Sequence, residues 1–219
     1  MQPRLAATCT RLRRKPSMNH PEDDRHKAKM IKRKAAQDAE VAGKPIVEKG
    51  LLIVHTGPGK GKSTAAFGLA LRALGRGHRI GVVQFIKGAW STGERMAIER
   101  FGAQVQWRTM GEGFTWETQD RARDIAAASA AWAEAKRMMA DSSIRLLVLD
   151  ELNIALRYDY LPLAEVVAAL AARRPGLHVV VTGRNAKPEL IEAADLVTEM
   201  TLVKHPFRAG VKAQLGIEF

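Results

Sequence analysis

The sequence holds a single cysteine among its 219 residues, Cys9, so no disulfide can close within the chain and a reducing compartment is expected. No apolar run approaches the roughly 18 residues that a membrane-spanning helix requires, and a cytoplasmic chain with no membrane partner is the expectation. Aromatic residues make up only 5% and do not interleave with the basic stretches, so the stacking platforms of single-strand nucleic-acid binders are missing. Residues 1–17 contain no acid and no apolar stretch of signal-peptide length, which argues against secretion. The histidines at 20, 26, 55, 78, 178 and 205 have no metal-ligand spacing, and a protein-held zinc or iron is not expected.

Positive charge is abundant but unevenly spread. Of the formal +12, residues 1–50 carry +7, with 13 Lys and Arg against 6 Asp and Glu. MQPRLAATCTRLRRKPS (1–17) reads as a disordered extension ahead of Met18, although an organellar transit peptide has the same Arg-rich, acid-free look. PEDDRHKAKMIKRKAAQDAEVA, from Pro21 to about Ala42, has early acids and later bases that suit a helix dipole, with sparse apolar contacts at Met30 and Ile31. Three regions follow: the extension 1–17, a basic helical arm 18–44 and a body 45–219.

The body alternates short apolar runs with helical patterns, the signature of a parallel sheet with crossover helices. Strands are predicted at 51–55, 79–85, 104–108, 145–149, 177–182 and 195–201. Helices are predicted at 62–75, 92–101, 117–140, 162–173 and 187–193, with Pro162 and Pro188 at two of the starts.

The stretch HTGPGKGKSTAAFGLALRALG, His55 to Gly75, places a glycine-rich turn between the first strand and the first helix of the body. Backbone N–H groups of such a turn and the helix N-terminus surround polyphosphate. The strict P-loop spelling has glycine where this chain has Thr56; Gly57, Pro58, Gly59, Lys60 and Gly61 follow, then Lys62, Ser63 and Thr64. Lys62, read as an exposed loop lysine, reaches phosphate oxygens, and the Ser63 hydroxyl serves Mg²⁺. RLLVLDEL, 145–152, ends a buried strand on two carboxylates, Asp150 and Glu151, which belong beside Ser63 as metal ligands directly or through water. The fold class is therefore α/β, a P-loop NTPase with a RecA-like, mostly parallel sheet flanked by helices and preceded by a basic helical arm. From these residues alone the leading reading is a RecA-like ATPase with Glu151 polarising water; a nucleotide-dependent nucleic-acid-binding protein using the arm is the non-enzyme alternative.

Other stretches change that reading. RHKAKM, TGPGKGKSTAAFGLALRALG, VVQFIKG, TGER, GFTWET, LDELNIALRYDYL, VTGRNA and KHPFRAGVKAQLGIEF together resemble the P-loop type of ATP:corrinoid adenosyltransferase, from about Asp24 to Phe219. Pro58 and Ser63 stand where that family often has Asn and Thr, and Ser63 keeps the hydroxyl.

The resemblance implies an enzyme of vitamin B12 synthesis or salvage. In it Co(I) of a corrinoid, such as cobyrinic acid a,c-diamide, cobinamide or cobalamin, attacks the 5′ carbon of ATP and releases triphosphate. It implies Mg²⁺, or Mn²⁺ in its place, a homodimer, and an electron donor such as a reduced flavoprotein. It gives Lys62 and Glu151 catalytic roles at the leaving group, and places Phe114 and Trp116 of GFTWET under the corrin ring, displacing its lower axial ligand. Lys87, Arg95 and Arg184, near strand ends, are candidates for phosphate or corrin contacts, with surface ion pairs the competing reading. His205 is the one histidine placed near the corrin. No nucleic-acid partner is expected.

Overall fold

A computed structural model of the chain describes residues 21–45, 47, 49–86, 92–111 and 120–218. It divides into two compact units, Met1–Val47 and Glu48–Phe219. The described part of the first is one helix, α1 (Pro21–Ala42), with Glu22, Asp23 and Asp24 in its first turn and no buried residue. Ion pairs one turn apart, Lys34–Asp38 and Lys44–Glu40, run along its surface and its end.

The second unit is a six-stranded sheet in which every pairing is parallel. In chain order it contains β1 (Leu52–Thr56), α2 (Lys62–Leu74), β2 (Arg79–Gln84), α3 (Gly93–Ile98), β3 (Val105–Thr109), α4 (Arg121–Ala140), β4 (Ile144–Asp150), α5 (Leu152–Arg157), α6 (Leu163–Ala171), β5 (His178–Thr182), α7 (Pro188–Ala193) and β6 (Leu196–Glu199). The order across the sheet is β3-β2-β4-β5-β1-β6. One strand, β5, thus separates the strand before the phosphate loop from the strand ending in Asp150, the arrangement expected of a RecA-like sheet.

Helices cover both faces. On one, Leu52, Val54, Leu147, Leu149, Val179 and Val181 pack against Trp132, Ala135 and Met138 of α4 and against α5 and α6. On the other, Ile53, Ile80, Val82, Leu146, Val148 and Val180 meet Ala66, Phe67, Ala70 and Leu74 of α2. The alternation within each strand is the two-residue side-chain period, and because both faces of the four central strands are buried those strands read as continuous apolar runs; the edge strands β3 and β6 are more open.

Capping sets several helix starts. Asp120 accepts from the N–H groups of Ala122 and Arg123, both at 3.1 Å, and opens α4. Thr92 accepts from Arg95 N–H at the start of α3. Pro188 is the first residue of α7 and Pro162 caps α6. Two features depart from the sequence expectation. The segment expected as one helix over 92–101 leaves α-geometry at Ile98 and continues as a 3₁₀ turn, Glu99–Gln104, broken by Gly102 at φ +57°. The six-residue α5 was not expected; it follows Glu151, which sits in the left-handed region at φ +64°.

Candidate active site

The carboxyl ends of five adjacent strands form one polar row. On the face packed by α2, the apolar residues of β3, β2, β4, β5 and β1 give way to Thr109, Gln84, Asp150, Thr182 and His55 in turn. Register aligns them: Gln84 is opposite both Thr109 and Asp150, and Thr182 is opposite His55. Strand ends of this kind face the ligand crevice of an open parallel sheet.

Asp150 is the centre of the row and is fully buried. Its Oδ1 accepts from the Ser63 hydroxyl at 2.7 Å and the Thr182 hydroxyl at 2.8 Å, and its Oδ2 accepts from Gln84 Nε2 at 3.0 Å. The Thr182 oxygen also accepts from Glu151 N–H at 2.9 Å, which fixes that hydroxyl as a donor toward Asp150. Bringing Ser63 and Asp150 together, 87 residues apart, is what the sequence reading expected.

The phosphate loop spans Gly57 to Gly61 between β1 and α2. Gly57 and Gly61 have φ of +96° and +103°, values that L side chains rarely adopt. Gly57 and Gly59 also press against a neighbouring backbone: an added Cβ would lie 2.5 Å and 2.6 Å from the Met200 carbonyl oxygen. That carbonyl accepts from Gly59 N–H at 2.6 Å, while Met200 N–H donates to Thr56 O at 2.9 Å. The Thr56 hydroxyl accepts from Ala186 N–H at 3.0 Å, so β1, the loop after β5 and the segment after β6 converge on the loop.

Lys62 is buried rather than exposed, a correction to the sequence reading. Its ammonium donates to two carbonyls of its own loop, Gly57 O at 3.0 Å and Gly59 O at 2.5 Å. The cause is geometric: a loop that turns its carbonyls inward folds the lysine stem beneath it. Burial lowers the Lys62 pKa, opposed by the Glu151 charge and reinforced by Arg184 and Lys60. Glu151 and Arg184 are therefore electrostatic neighbours of Lys62. Gly183, at φ +124°, lets the turn bearing Arg184 close on the acid: a Cβ there would lie 3.1 Å from Glu151 Oε2. Asn153 donates to Gly183 O at 2.9 Å and holds that turn.

Lys60 pairs with Glu218 near the chain end, while Pro58 and Thr64 are exposed. Arg95 bonds Glu99 at 2.8 Å and the Thr109 hydroxyl at 3.3 Å, and its guanidinium carbon lies 5.9 Å from the Trp107 ring centroid. His205 caps the 3₁₀ turn Pro206–Ala209, its Nδ1 accepting from Phe207 N–H at 3.1 Å. Lys87, Phe114 and Trp116 lie outside the described residues.

Sequence reasoning missed Gln84, Thr109, Thr182, Met200 and Glu218. Gln84 and Thr182 left one signal, a polar residue closing an apolar strand. The Met200 carbonyl left none, because backbone contacts have no residue signature.

Among the described residues no three His, Cys, Asp or Glu side chains group closely enough to hold a metal ion. The Ser63 hydroxyl beside a buried carboxylate nevertheless fits Mg²⁺, which takes one or two protein oxygens and completes its shell with phosphates and water. No helix among the described residues is long and apolar enough to cross a membrane.

Comparisons with known proteins agree with the geometry. The sequence pattern described as "ATP:corrinoid adenosyltransferase BtuR/CobO/CobP" matches residues 48–219, and that described as "Cob(I)alamin adenosyltransferase N terminal" matches 17–41. A corrinoid adenosyltransferase of Pseudomonas aeruginosa is 58% identical over 197 residues, covering 90% of this chain and 97% of its own. One from a Sinorhizobium species is 59% identical over 200 residues, 90% of this chain and 93% of its own. The corrinoid adenosyltransferase CobA of Salmonella typhimurium is 50% identical over 197 residues, 90% of this chain and 99% of its own.

Proposed function

This chain belongs to the ATP:corrinoid adenosyltransferase BtuR/CobO/CobP family, and from that premise we propose that ATP is its adenosyl donor and triphosphate its leaving group. The enzyme transfers an adenosyl group to a corrinoid. In the proposed step the Co(I) of the corrinoid substrate gives its electron pair to C5′ of ATP, the C5′–O5′ bond breaks, and that bond's electrons leave with triphosphate. Cobalt becomes formally Co(III).

The nucleophile is the substrate's own metal, so no protein base has to activate it. The protein's task is to align carbon with cobalt and stabilise charge growing on the triphosphate. The observation carrying this reading is the buried Lys62 ammonium directly before the Ser63–Asp150 pair. Lys62 exchanges its two loop carbonyls for phosphate oxygens, and the helix N-terminus and loop amides add donors. Asp150 takes the Ser63 proton in a hydrogen bond, leaving the lone pairs of that oxygen for a cation; Glu151 stands close enough to Lys62 to balance its charge. Mg²⁺, or Mn²⁺, held by Ser63 with Asp150 and Glu151 in support, would neutralise triphosphate charge. Lys60, Lys87, Arg95 and Arg184 are proposed phosphate or corrin contacts, and Phe114 and Trp116 the rings beneath the corrin. A homodimer, a reduced flavoprotein donor and a cytoplasmic setting complete the proposal.

The test is to mix the protein with ATP, Mg²⁺ and chemically reduced cobalamin. A light-sensitive adenosylcobalamin and stoichiometric triphosphate are expected. ADP with orthophosphate would assign the loop to hydrolysis instead.

A further inference from the structure

Gln84 lies in the polar row, is 3% exposed and has no role in the reading above. Its side-chain carbonyl Oε1 accepts twice, from the Trp107 indole N–H at 3.1 Å and the Thr109 hydroxyl at 3.0 Å. Indole nitrogen can only donate. A rotated Gln84 amide would set its NH₂ against that N–H and its oxygen against the Asp150 carboxylate, two repulsive contacts in place of two bonds. The indole N–H also reaches the Thr109 hydroxyl oxygen at 3.3 Å, so Trp107 and Thr109 together fix which end of Gln84 faces Asp150.

The same logic runs outward. Thr109 gives its proton to Gln84 and accepts from Arg95 Nη1 at 3.3 Å. Every bond from Arg95 through Thr109 and Gln84 thus points its donor toward Asp150, and Ser63 and Thr182 donate to Asp150 from the other side. Trp107 is itself immobilised, stacked on Phe67 of α2 with centroids 5.2 Å apart. The orientation of the Asp150 carboxylate, and through it that of the Ser63 hydroxyl, is set by strands β2 and β3 as well as by the phosphate loop.

We propose that Gln84 is a positioning residue for the metal–triphosphate site: locked by Trp107 and Thr109, it holds Asp150 so that the Ser63 oxygen presents its lone pairs to Mg²⁺. This rests on the reading that the loop binds Mg²⁺ with a triphosphate. A buried acceptor left without its donor is costly, so without Gln84 the Asp150 carboxylate should turn toward Ser63 and Thr182 and carry the Ser63 hydroxyl off the metal position. Loss of a residue that orients a metal ligand typically changes metal affinity by about 10- to 100-fold.

The experiment uses Gln84→Met, close in shape but unable to donate, and Trp107→Phe, which keeps the ring and removes the N–H. ATP binding is measured by calorimetry without corrinoid, at a series of Mg²⁺ concentrations and with Mg²⁺ chelated. For Gln84→Met the Mg²⁺ half-saturation should rise by about tenfold, with ATP binding in chelator unchanged and kcat for adenosyl transfer largely restored at saturating Mg²⁺. Trp107→Phe should shift in the same direction by less, because the amide then populates both orientations. Equal loss of ATP binding with and without Mg²⁺, following a fall in melting temperature, would make Gln84 a packing residue and overturn the proposal. An unchanged Mg²⁺ titration in Gln84→Met would overturn it too. If the parent protein itself shows no Mg²⁺-dependent ATP binding, it is the functional reading that fails.

Discussion

The Ser63 hydroxyl lies 2.7 Å from Oδ1 of Asp150, so the first residues of α2 and the last residue of β4 meet although β5 lies between their strands. Neighbouring strands are about 4.8 Å apart, and Thr182 fills the intervening place by bonding the same carboxylate oxygen. The geometry of the candidate site depends on this three-strand junction.

Lys62→Ala should reduce adenosyl transfer at saturating ATP by about 100-fold or more, the scale on which a preorganised donor to developing charge acts. Because Lys62 also ties Gly57 O and Gly59 O, the variant should lose amide protection in the loop while the core strands keep theirs. Near-parent turnover in a folded variant would remove Lys62 from the leaving-group site.

Gly59→Ala should separate loop from core. The added methyl meets the Met200 and Thr201 carbonyl oxygens, each at 2.6 Å, so the loop must shift. ATP affinity should fall by at least about tenfold, the effect of losing an aligned donor bond, with the unfolding midpoint nearly unchanged. Calorimetric titration and urea unfolding check the two halves; intact ATP binding would contradict the packing described.

The sequence made much of this legible. All six strands appear within two residues of their expected ends; for β1, β2, β4 and β5 the reason is that a strand buried on both faces is an unbroken apolar run, whereas the edge strands β3 and β6 are more open, β6 exposed along its whole length. The loop, Ser63 and Asp150 carried motif spacing. What was hidden has identifiable causes. The six residues of α5 are too few to show a helical period. The row Thr109–Gln84–Asp150–Thr182–His55 depends on strand order, which no local pattern encodes. Lys62 was misplaced because its burial comes from carbonyl directions in the loop, set by φ at Gly57 and Gly61.

His55 ends that row with both ring nitrogens buried and without a hydrogen-bond partner among the described residues. Burial lowers its pKa below the usual 6.5. The unfolded chain then takes up the proton first, so the stability held near neutral pH declines as pH falls below about 6.5 and levels off below the native pKa. His55→Leu should be more stable than the parent at pH 5 and should flatten the decline. A residual slope belongs to His178, whose pKa is lowered by burial and then by Arg145 and Arg173. An identical pH profile in both proteins would show that His55 does not titrate with unfolding.

Lys60 and Glu218 test the chain end. The lysine side chain is 49% exposed, so breaking the pair should change stability by no more than about 0.5 kcal/mol. Glu218→Gln removes a competing carboxylate from a loop proposed to hold triphosphate, and ATP should bind a few-fold tighter at low salt, with the gain shrinking as salt rises. Weaker binding would mean that the pair orders the loop.

Trp116→Ala tests the proposed rings under the corrin. If they displace the lower ligand, they matter for reducing Co(II), and activity from Co(II) cobalamin with a weak reductant should fall strongly. With preformed Co(I) the loss should be much smaller. Equal loss in both assays, with a lowered melting temperature, would make Trp116 a core residue.

The Gly59–Met200 bond has a kinetic corollary. Breathing of the phosphate loop must rupture Gly59 N–H from Met200 O, and Met200 N–H is in turn held by Thr56 O. Loop and post-β6 segment therefore open as one cooperative unit rather than as two independent flaps. Their amides should exchange with solvent at a common rate, and a nucleotide gripping the loop should slow exchange at residue 200, on a stretch of chain it need not touch.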